Sequence, residues 1–276
     1  MNKKNNIIVF AVSWIILLIA YIPTIGWMVQ RWMAAESYYG HGILIPLVSL
    51  FIVWQRRDVL KNSKIASEFS GLIIVAINLF IHIVCAALKV YFVSGVTFVF
   101  ALYGLILFFF GKEITRKLIF PVFFLLTMVP LPLVAISGLT VKLKLFAAQM
   151  AAFILNRIGF PCIRDGSLIR MPKSFISVEA PCSGLRSLIS LLTLGLLFAY
   201  AMKVAYWKKA ILFLSAIPIA IISNIIRIIL LATVNDLYGE KIAMGFFHDF
   251  TGFFVFAFAF TALFGVSKVL EIKQNE

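Results

Sequence analysis

The sequence predicts an all-α, polytopic membrane protein with about eight transmembrane helices and a small extracytoplasmic β-hairpin element. Hydrophobic residues make up 63% of the chain and charged residues only 13%, whereas a soluble domain is about half apolar and about a quarter charged. The apolar residues form runs that approach the roughly 20 residues needed to cross the hydrocarbon. One long segment between these runs instead alternates apolar and polar residues around an Asp-Gly pair, which is typical of a hairpin.

Cutting the apolar runs at their charged residues defines the candidate spans. The first is interpreted as a retained helix rather than a signal peptide, because it is long and no small-residue cleavage site follows it. The second is short, so it begins before Gly42, forms a half-helix or dips into the membrane without crossing. The candidate spans cover residues 7–29, 42–54, 71–88, 92–111, 118–136, 184–202, 210–234 and 250–267.

The distribution of basic residues predicts that both termini are cytoplasmic. With eight crossings, 14 of the 25 lysines and arginines fall in short inner loops or tails, as the positive-inside rule requires. Omitting the second span would reverse the later helices and move Arg56–Lys64 outside, which disfavours seven spans. This bias explains most of the net charge of +14, so nucleic acid is not expected as a partner. We expect a multi-pass protein of the cytoplasmic (inner) membrane.

A long outer segment at about residues 137–182 is predicted as an insertion in a single transmembrane domain, residues 1–276. Its first part, Leu139–Ile158, mixes lysines and amides with apolar residues, and we expect an amphipathic helix lying on the membrane. The pair Asp165-Gly166 then predicts a hairpin, and Phe175–Glu179 a third strand. This small sheet would lead the chain directly to Cys182.

Three polar residues are expected at the outer face. Arg227 lies within the seventh span, where a charged side chain is costly and usually functional. Cys182 precedes the sixth span, and His248 opens the eighth. With Ser183 as helix N-cap and Arg186 one turn further on, the thiol would sit at a helix N-terminus near a cation, and both features lower a thiol pKa. His248 would act as base and acid, and Arg227 would hold a carbonyl oxygen.

Other polar residues are predicted to support these three. Asn224 precedes Arg227 by three residues and therefore shares its helix face. Asp249 would orient His248 or cap its helix, and His41 opens the second span on the same outer side. Glu179 would pair with an arginine or face water. Arg186 would alternatively anchor its helix at the lipid headgroups.

The remaining cysteines and histidines favour simpler interpretations. Cys162 lies in the same outer segment as Cys182, so a disulfide between them is an alternative. His82 and Cys85, both in the third span, are expected to be packing residues. The three cysteines and three histidines show no metal-ligand spacing, so neither a metal nor another cofactor is predicted.

Several motifs resemble those of the exosortase/archaeosortase family of membrane cysteine transpeptidases. Glu179–Leu185 resembles the nucleophile motif with its Cys-Ser-Gly core, although Pro181 stands where a less rigid residue is expected. Asn224–Arg227 resembles the Asn-x-x-Arg motif, and His248 with Gly252 resembles the histidine motif. An additional family signature is similar to Tyr39–Pro46, followed by Trp54–Arg57.

The resemblance implies that Cys182, Arg227 and His248 are catalytic. Such an enzyme would cleave the C-terminal sorting signals of exported proteins, each built from a short motif, a transmembrane helix and a basic tail. The acyl-enzyme would be resolved by an amine, such as an amine-bearing lipid or glycan, in an active site facing the periplasm or exterior. Two other hypotheses are a transporter, with Arg227 lining an anion path, and a non-catalytic subunit of an envelope polysaccharide or export system.

Overall fold

The computed structural model describes residues 3–34, 37–178, 183–243 and 245–272. Helices dominate this part of the chain and fall into two compact units, residues 1–132 and 133–276, which confirms the predicted helical class. The helices are α1 (Lys3–Ala20), α2 (Ile22–Met33), α3 (Ile45–Gln55), α4 (Arg57–Lys61), α5 (Ser70–Ala87), α6 (Tyr91–Phe124), α7 (Leu133–Arg157), α8 (Leu185–Ala201), α9 (Tyr206–Tyr238), α10 (Glu240–Ala243) and α11 (Phe246–Ile272). Short 3₁₀ turns cover Gly40–Ile43 and Leu125–Met128.

The described helices include several that fit the thickness of a membrane. Five of them, in α5, α6, α7, α9 and α11, are long and apolar enough to cross, and the bent pair α1–α2 would make a sixth. The apolar stretches Gly40–Gln55 and Leu185–Ala201 are shorter. The chain is therefore a multi-pass membrane protein, and the predicted count of eight crossings is not confirmed.

Helix α6 contains a chain reversal at Gly111. This glycine has a φ of 79°, and a side chain there would collide with the backbone of Ala66. In an uninterrupted helix Phe100 and Phe123 would lie about 35 Å apart, at 1.5 Å per residue. Their ring centroids are 5.2 Å apart. Residues 91–110 and 112–124 therefore form two neighbouring arms. The first matches the span predicted over 92–111, whereas the second covers only the beginning of the span predicted over 118–136.

Two polar loops meet at one end of the first unit. Arg56 Nη1 donates to the carbonyl of Lys117 at 2.7 Å, and the backbone N–H of Lys64 donates to Glu113 Oε2 at 3.2 Å. The loop after α3 and the loop at the α6 reversal therefore lie on the same side. The predicted orientation requires this arrangement, because it places both basic loops inside.

The first predicted span is not a single helix. Helices α1 and α2 meet at Tyr21 with a bend of 66°. His82, which is only 4% exposed, packs at this break with its ring stacked on Tyr21 at 3.7 Å. Its Nε2 donates to the carbonyl of Ala20 at 3.1 Å, since a carbonyl only accepts. Its Nδ1 therefore accepts from the Ser94 hydroxyl at 2.7 Å, so His82 is the packing residue that the sequence predicts.

Helix α9 is the central helix of the second unit and packs against α7, α8 and α11. Ala147–Leu155 of α7 and Ile225–Ala232 of α9 share one core with the buried Ile169 and Ile176 of the sheet. Helix α7 begins six residues before the predicted Leu139. Its 25 residues are also long and apolar enough to cross a membrane, so its placement on the membrane surface stays a prediction.

The sheet has the predicted hairpin and third strand. Strands β1 (Ile163–Asp165), β2 (Leu168–Arg170) and β3 (Phe175–Ser177) are antiparallel, in the order β1-β2-β3. Asp165 pairs with Leu168, so the two loop residues are Gly166 and Ser167 rather than the Asp-Gly pair itself. Gly166 has a φ of 61°, which is the left-handed conformation that such a hairpin turn requires.

Replacing His82 with Ala is expected to destabilise the first unit. The change removes a buried ring and the donor to the Ala20 carbonyl, and leaves the Ser94 hydroxyl with Thr24 as its partner, at a cost of about 2–4 kcal/mol. Thermal unfolding of the detergent-solubilised protein should show a lower midpoint. Phe80→Ala is the control, because Phe80 lies on the same helix with 69% of its surface exposed. Equal shifts in the two variants would contradict a structural role of His82.

Candidate active site

Arg227 and His248 are in direct contact between α9 and α11. Arg227 Nη2 lies 3.1 Å from His248 Nε2 and 3.5 Å from the His248 carbonyl oxygen. A guanidinium only donates hydrogen bonds, so Nε2 is the acceptor and the neutral ring carries its proton on Nδ1. Two of the three predicted catalytic side chains thus meet, although 21 residues separate them in the sequence.

Small and polar neighbours on α11 make this contact possible. Gly252 lies one turn after His248, and a Cβ there would approach Arg227 Nη2 to 3.4 Å. The absence of a side chain leaves room for the guanidinium. The Thr251 hydroxyl donates to the His248 carbonyl at 3.0 Å. Gly252 therefore allows the close approach of Arg227, and Thr251 donates to the same carbonyl oxygen that Arg227 contacts.

The guanidinium of Arg227 still has an unused donor. Its Nε is buried and has no hydrogen-bond partner within the described residues. A buried donor without an acceptor costs free energy, so an incoming oxygen that accepts from Arg227 would recover this loss. The geometry therefore suits a site in which Arg227 contacts both His248 and a further acceptor.

The contact between Arg227 and His248 lies far from the ends of α9 and α11 that carry lysines, at a distance close to the thickness of the hydrocarbon core. Arg227 follows Lys208 by 19 residues on α9, and His248 precedes Lys268 by 20 residues on α11. At 1.5 Å per residue this is about 30 Å, which is the thickness of the hydrocarbon core. Lys208 Nζ donates to the carbonyl of Leu270 at 3.1 Å, so the two basic ends are adjacent. If they mark one membrane interface, Arg227 and His248 lie at the other.

Asn224 packs against the turn that follows Cys182 in the sequence. Gly184 has a φ of 79°, and a Cβ on it would lie 2.8 Å from Asn224 Cγ, so only glycine fits. Gly184 is also the residue at the N-cap of α8. The prediction of Ser183 as N-cap is therefore wrong, because the left-handed turn starts the helix one residue later. The Ser183 hydroxyl instead accepts from the Leu185 N–H at 3.4 Å.

The same turn borders a cleft between α7, α8 and α9. Ser183, Gly184 and Asn224 form its polar end, and side chains such as Leu143 and Ala147 form apolar walls. The cleft has an empty volume of about 240 Å³, including its open mouth. Its position next to the predicted nucleophile motif makes it part of the candidate site.

The C-terminal end of α9 holds the sheet that precedes this motif. Asn235 Nδ2 donates to the carbonyl of Phe175 at 2.9 Å. Asp236 Oδ1 accepts from the Lys173 N–H and from the Ser174 hydroxyl, both at 3.3 Å. The chain is thus fixed to α9 just before residues 179–182, and again just after them at Gly184.

The other predicted site residues are placed as follows. Cys182 and Glu179 lie outside the described residues. Asp249 lies within the first turn of α11, which begins at Phe246, and its two predicted roles stay predictions. Arg186 is exposed in the first turn of α8. His41 belongs to the other unit, where it is partly buried and stacks on Tyr39 with ring centroids 6.0 Å apart.

Cys162 is a free thiol in the structure, so the alternative of a disulfide with Cys182 is not what the structure contains. Its Sγ donates to the carbonyl of Ala152 at 3.5 Å and lies 3.4 Å from Asn156 Nδ2. Burial raises the pKa of this thiol, against the opposing effect of the Asn156 hydrogen bond.

Sequence reasoning missed two contributions to the site. The first is the pair Asn235–Asp236, which anchors the sheet. The second is the cleft wall supplied by α7. Signals for both exist in the sequence: two adjacent polar residues just past the predicted end of the seventh span, and the small residues Ala147, Ala148, Ala151 and Ala152, which indicate close helix packing.

The comparisons with known proteins agree with the resemblance in the motifs. The model of the transmembrane exosortase family (Exosortase_EpsH) matches residues 27–265, so the chain belongs to this family. The comparisons with curated proteins and with solved structures give no match. The family is consistent with a sorting transpeptidase that uses a cysteine, acts on protein substrates with sorting signals and works in a membrane.

The raised pKa of Cys162 predicts slow thiol labelling. In a Cys85→Ala/Cys182→Ala background, the rate of maleimide labelling should reach its plateau at a higher pH than that of an unstructured cysteine peptide blocked at both ends, because the thiolate is the reacting form and a raised pKa leaves less of it at a given pH. The thiol of such a peptide has a pKa of about 8.5. A plateau for Cys162 at the same or a lower pH than that of the peptide would contradict the prediction.

Proposed function

We propose that this exosortase-family protein is a cysteine transpeptidase or protease that cleaves C-terminal sorting signals of exported proteins, with Cys182 as nucleophile. The observation that carries this proposal is the 3.1 Å contact between Arg227 and His248. It occurs one turn from Asn224, which packs on the Gly184 turn immediately after Cys182. An imidazole and a guanidinium beside a cysteine segment are the groups that thiol acyl transfer needs.

The hydrogen bond between these two residues suggests how the first step begins. In the resting geometry Arg227 occupies the lone pair of His248 Nε2, the atom that would otherwise accept the thiol proton. A substrate carbonyl offers the guanidinium a better acceptor, because its oxygen becomes negatively charged during attack. Arg227 then turns towards the substrate oxygen and frees Nε2 as the base.

The chemistry proceeds in two balanced half-reactions. The Cys182 sulfur attacks the scissile carbonyl while its proton passes to His248, and the C–N bond breaks as His248 protonates the leaving amine. The thioester is then attacked by an amine of a lipid or glycan, or by water, which loses a proton to His248. The thiolate leaves and is reprotonated. Glu179, Arg186, Asn224, His41 and Asp249 are proposed to support these steps or bind substrate.

The membrane position of the site matches the form of the substrate. A sorting signal with a transmembrane helix presents its cleavage site at the membrane face, at the level proposed for Arg227 and His248. We place both termini in the cytoplasm and the site on the periplasmic or exterior side of the inner membrane. The contact between the two basic loops of the first unit supports this orientation.

Replacing Cys182 with Ala is expected to stop processing in cells, because the variant lacks the thiol that would form the acyl-enzyme. Exported proteins with a motif, helix and basic tail should accumulate at precursor mass on immunoblots. The matched control is Cys85→Ala, which removes a thiol from α5 and should leave processing intact. Normal maturation in the Cys182→Ala strain would end the proposal.

Replacing Arg227 with Lys tests the forked geometry, because lysine keeps the charge but cannot contact His248 and a substrate oxygen in the same way. Loss of an oxyanion donor lowers turnover by roughly 10²–10³, so we expect a drop of that size in the processing rate. Arg157→Lys, at the exposed end of α7, is the control. A transport function lost in Arg227→Lys but retained in Cys182→Ala would instead favour the transporter hypothesis.

A further inference from the structure

We propose that the cleft beside Ser183 and Gly184 binds an aliphatic side chain of the exported substrate next to the scissile bond, and that α7 determines which side chain fits. This inference rests on the proposed function and adds a specificity site to it. The helix concerned carries none of the motifs that supply Cys182, Arg227 or His248.

The position of the cleft connects it to the nucleophile. Ser183 follows Cys182 directly in the chain, and consecutive Cα atoms lie about 3.8 Å apart. Both Ser183 and Gly184 line the cleft, as does Asn224, which packs against Gly184. A side chain next to the scissile bond of a substrate held for attack by Cys182 can therefore reach this cleft, because Ser183 already lines it.

The chemistry of the walls selects an apolar side chain. Beyond the polar end, the cleft is bordered by Leu143 and Ala147 of α7, Leu188 of α8, and Ala220 of α9. Ala220 precedes Arg227 by seven residues, which places it about 10 Å deeper in the membrane, at 1.5 Å per residue. A polar substrate group there would lose its hydrogen bonds to water, whereas an aliphatic group gains about 25 cal/mol for each Å² it buries.

Two alanines create the space. Ala147 is 3% exposed and Ala220 is 1% exposed, so both pack closely against neighbouring atoms, and their methyl groups are the smallest side chains in the apolar walls of the cleft. Replacing Ala147 with Leu adds three carbons to the cleft wall. Replacing Leu143 with Ala removes three and enlarges the cleft. The two changes are therefore expected to act in opposite directions on the size of the side chain that binds.

The test uses the full-length protein with Cys182 as its only cysteine, in a Cys85→Ala/Cys162→Ala background. The probes are methyl and butyl methanethiosulfonate. The thiolate attacks the sulfenyl sulfur, a mixed disulfide forms, and methanesulfinate leaves. We expect the butyl-to-methyl rate ratio at Cys182 to fall at least fivefold in Ala147→Leu, because the butyl group no longer fits. The ratio of hexyl to butyl reagent should rise in Leu143→Ala.

Ala135→Leu is the matched control, because Ala135 is exposed on the same helix. Partitioning of the reagents into the membrane is the same in all variants and cancels in this comparison. Unchanged rate ratios in both Ala147→Leu and Leu143→Ala would overturn the proposal. The methyl rate itself shows whether Ala147→Leu is still folded, and Leu143→Ala tests the proposal independently of that variant.

Measuring the maturation of exported proteins in cells distinguishes a substrate side chain from a lipid chain as the occupant of the cleft. Ala147→Leu should slow maturation of the exported proteins while the methyl reagent still reacts with Cys182 at the parent rate. Altered reagent ratios with unchanged maturation would mean that lipid fills the cleft, which overturns the substrate assignment. Continued maturation in Cys182→Ala would instead refute the proposed function, whatever the reagents show about the cleft.

Discussion

The structure of the second unit depends on one interaction, the hydrogen bond from the Arg227 guanidinium to His248. A guanidinium in a helix of a membrane protein is costly unless partners surround it, and α11 supplies one at 3.1 Å. Gly252 leaves the space for this contact. The same bond defines which imidazole nitrogen accepts, so a requirement of folding in the membrane also sets the chemical state of the candidate base.

Helix α9 holds the other parts of the candidate site around this contact. Asn224 holds the glycine turn before α8, Arg227 holds His248, and Asn235 and Asp236 hold the sheet. These four residues lie within 13 positions of one helix. The helix therefore holds the parts of the site that they contact at fixed distances from one another. The described residues on both sides of 179–182 are attached to this helix, so the segment proposed to carry the nucleophile is anchored at each end.

Some details of the fold were accessible from local pattern and others were not. The Asp165-Gly166 pair predicted a hairpin because turn geometry depends on the residues of the turn itself. The reversal at Gly111 also appeared as a break between two apolar runs. The bend at Tyr21 was missed, because its stability comes from the ring of His82, which is 61 residues away. Ser183 was the wrong cap because the contact of Asn224 with Gly184 decides where α8 begins.

The amino-acid sequence alone determined the membrane class, the β-hairpin and the family of this protein. Each of these follows from composition, from neighbouring residues or from motifs, and each can be read without coordinates. The motifs also predicted that Arg227 and His248 would serve one site. Only the tertiary structure decided that these two side chains bond to each other, that the sheet is tied to α9, and that α7 lines a cleft beside the nucleophile motif. Those features depend on the packing of helices distant in sequence, which periodicity and spacing along one chain do not specify.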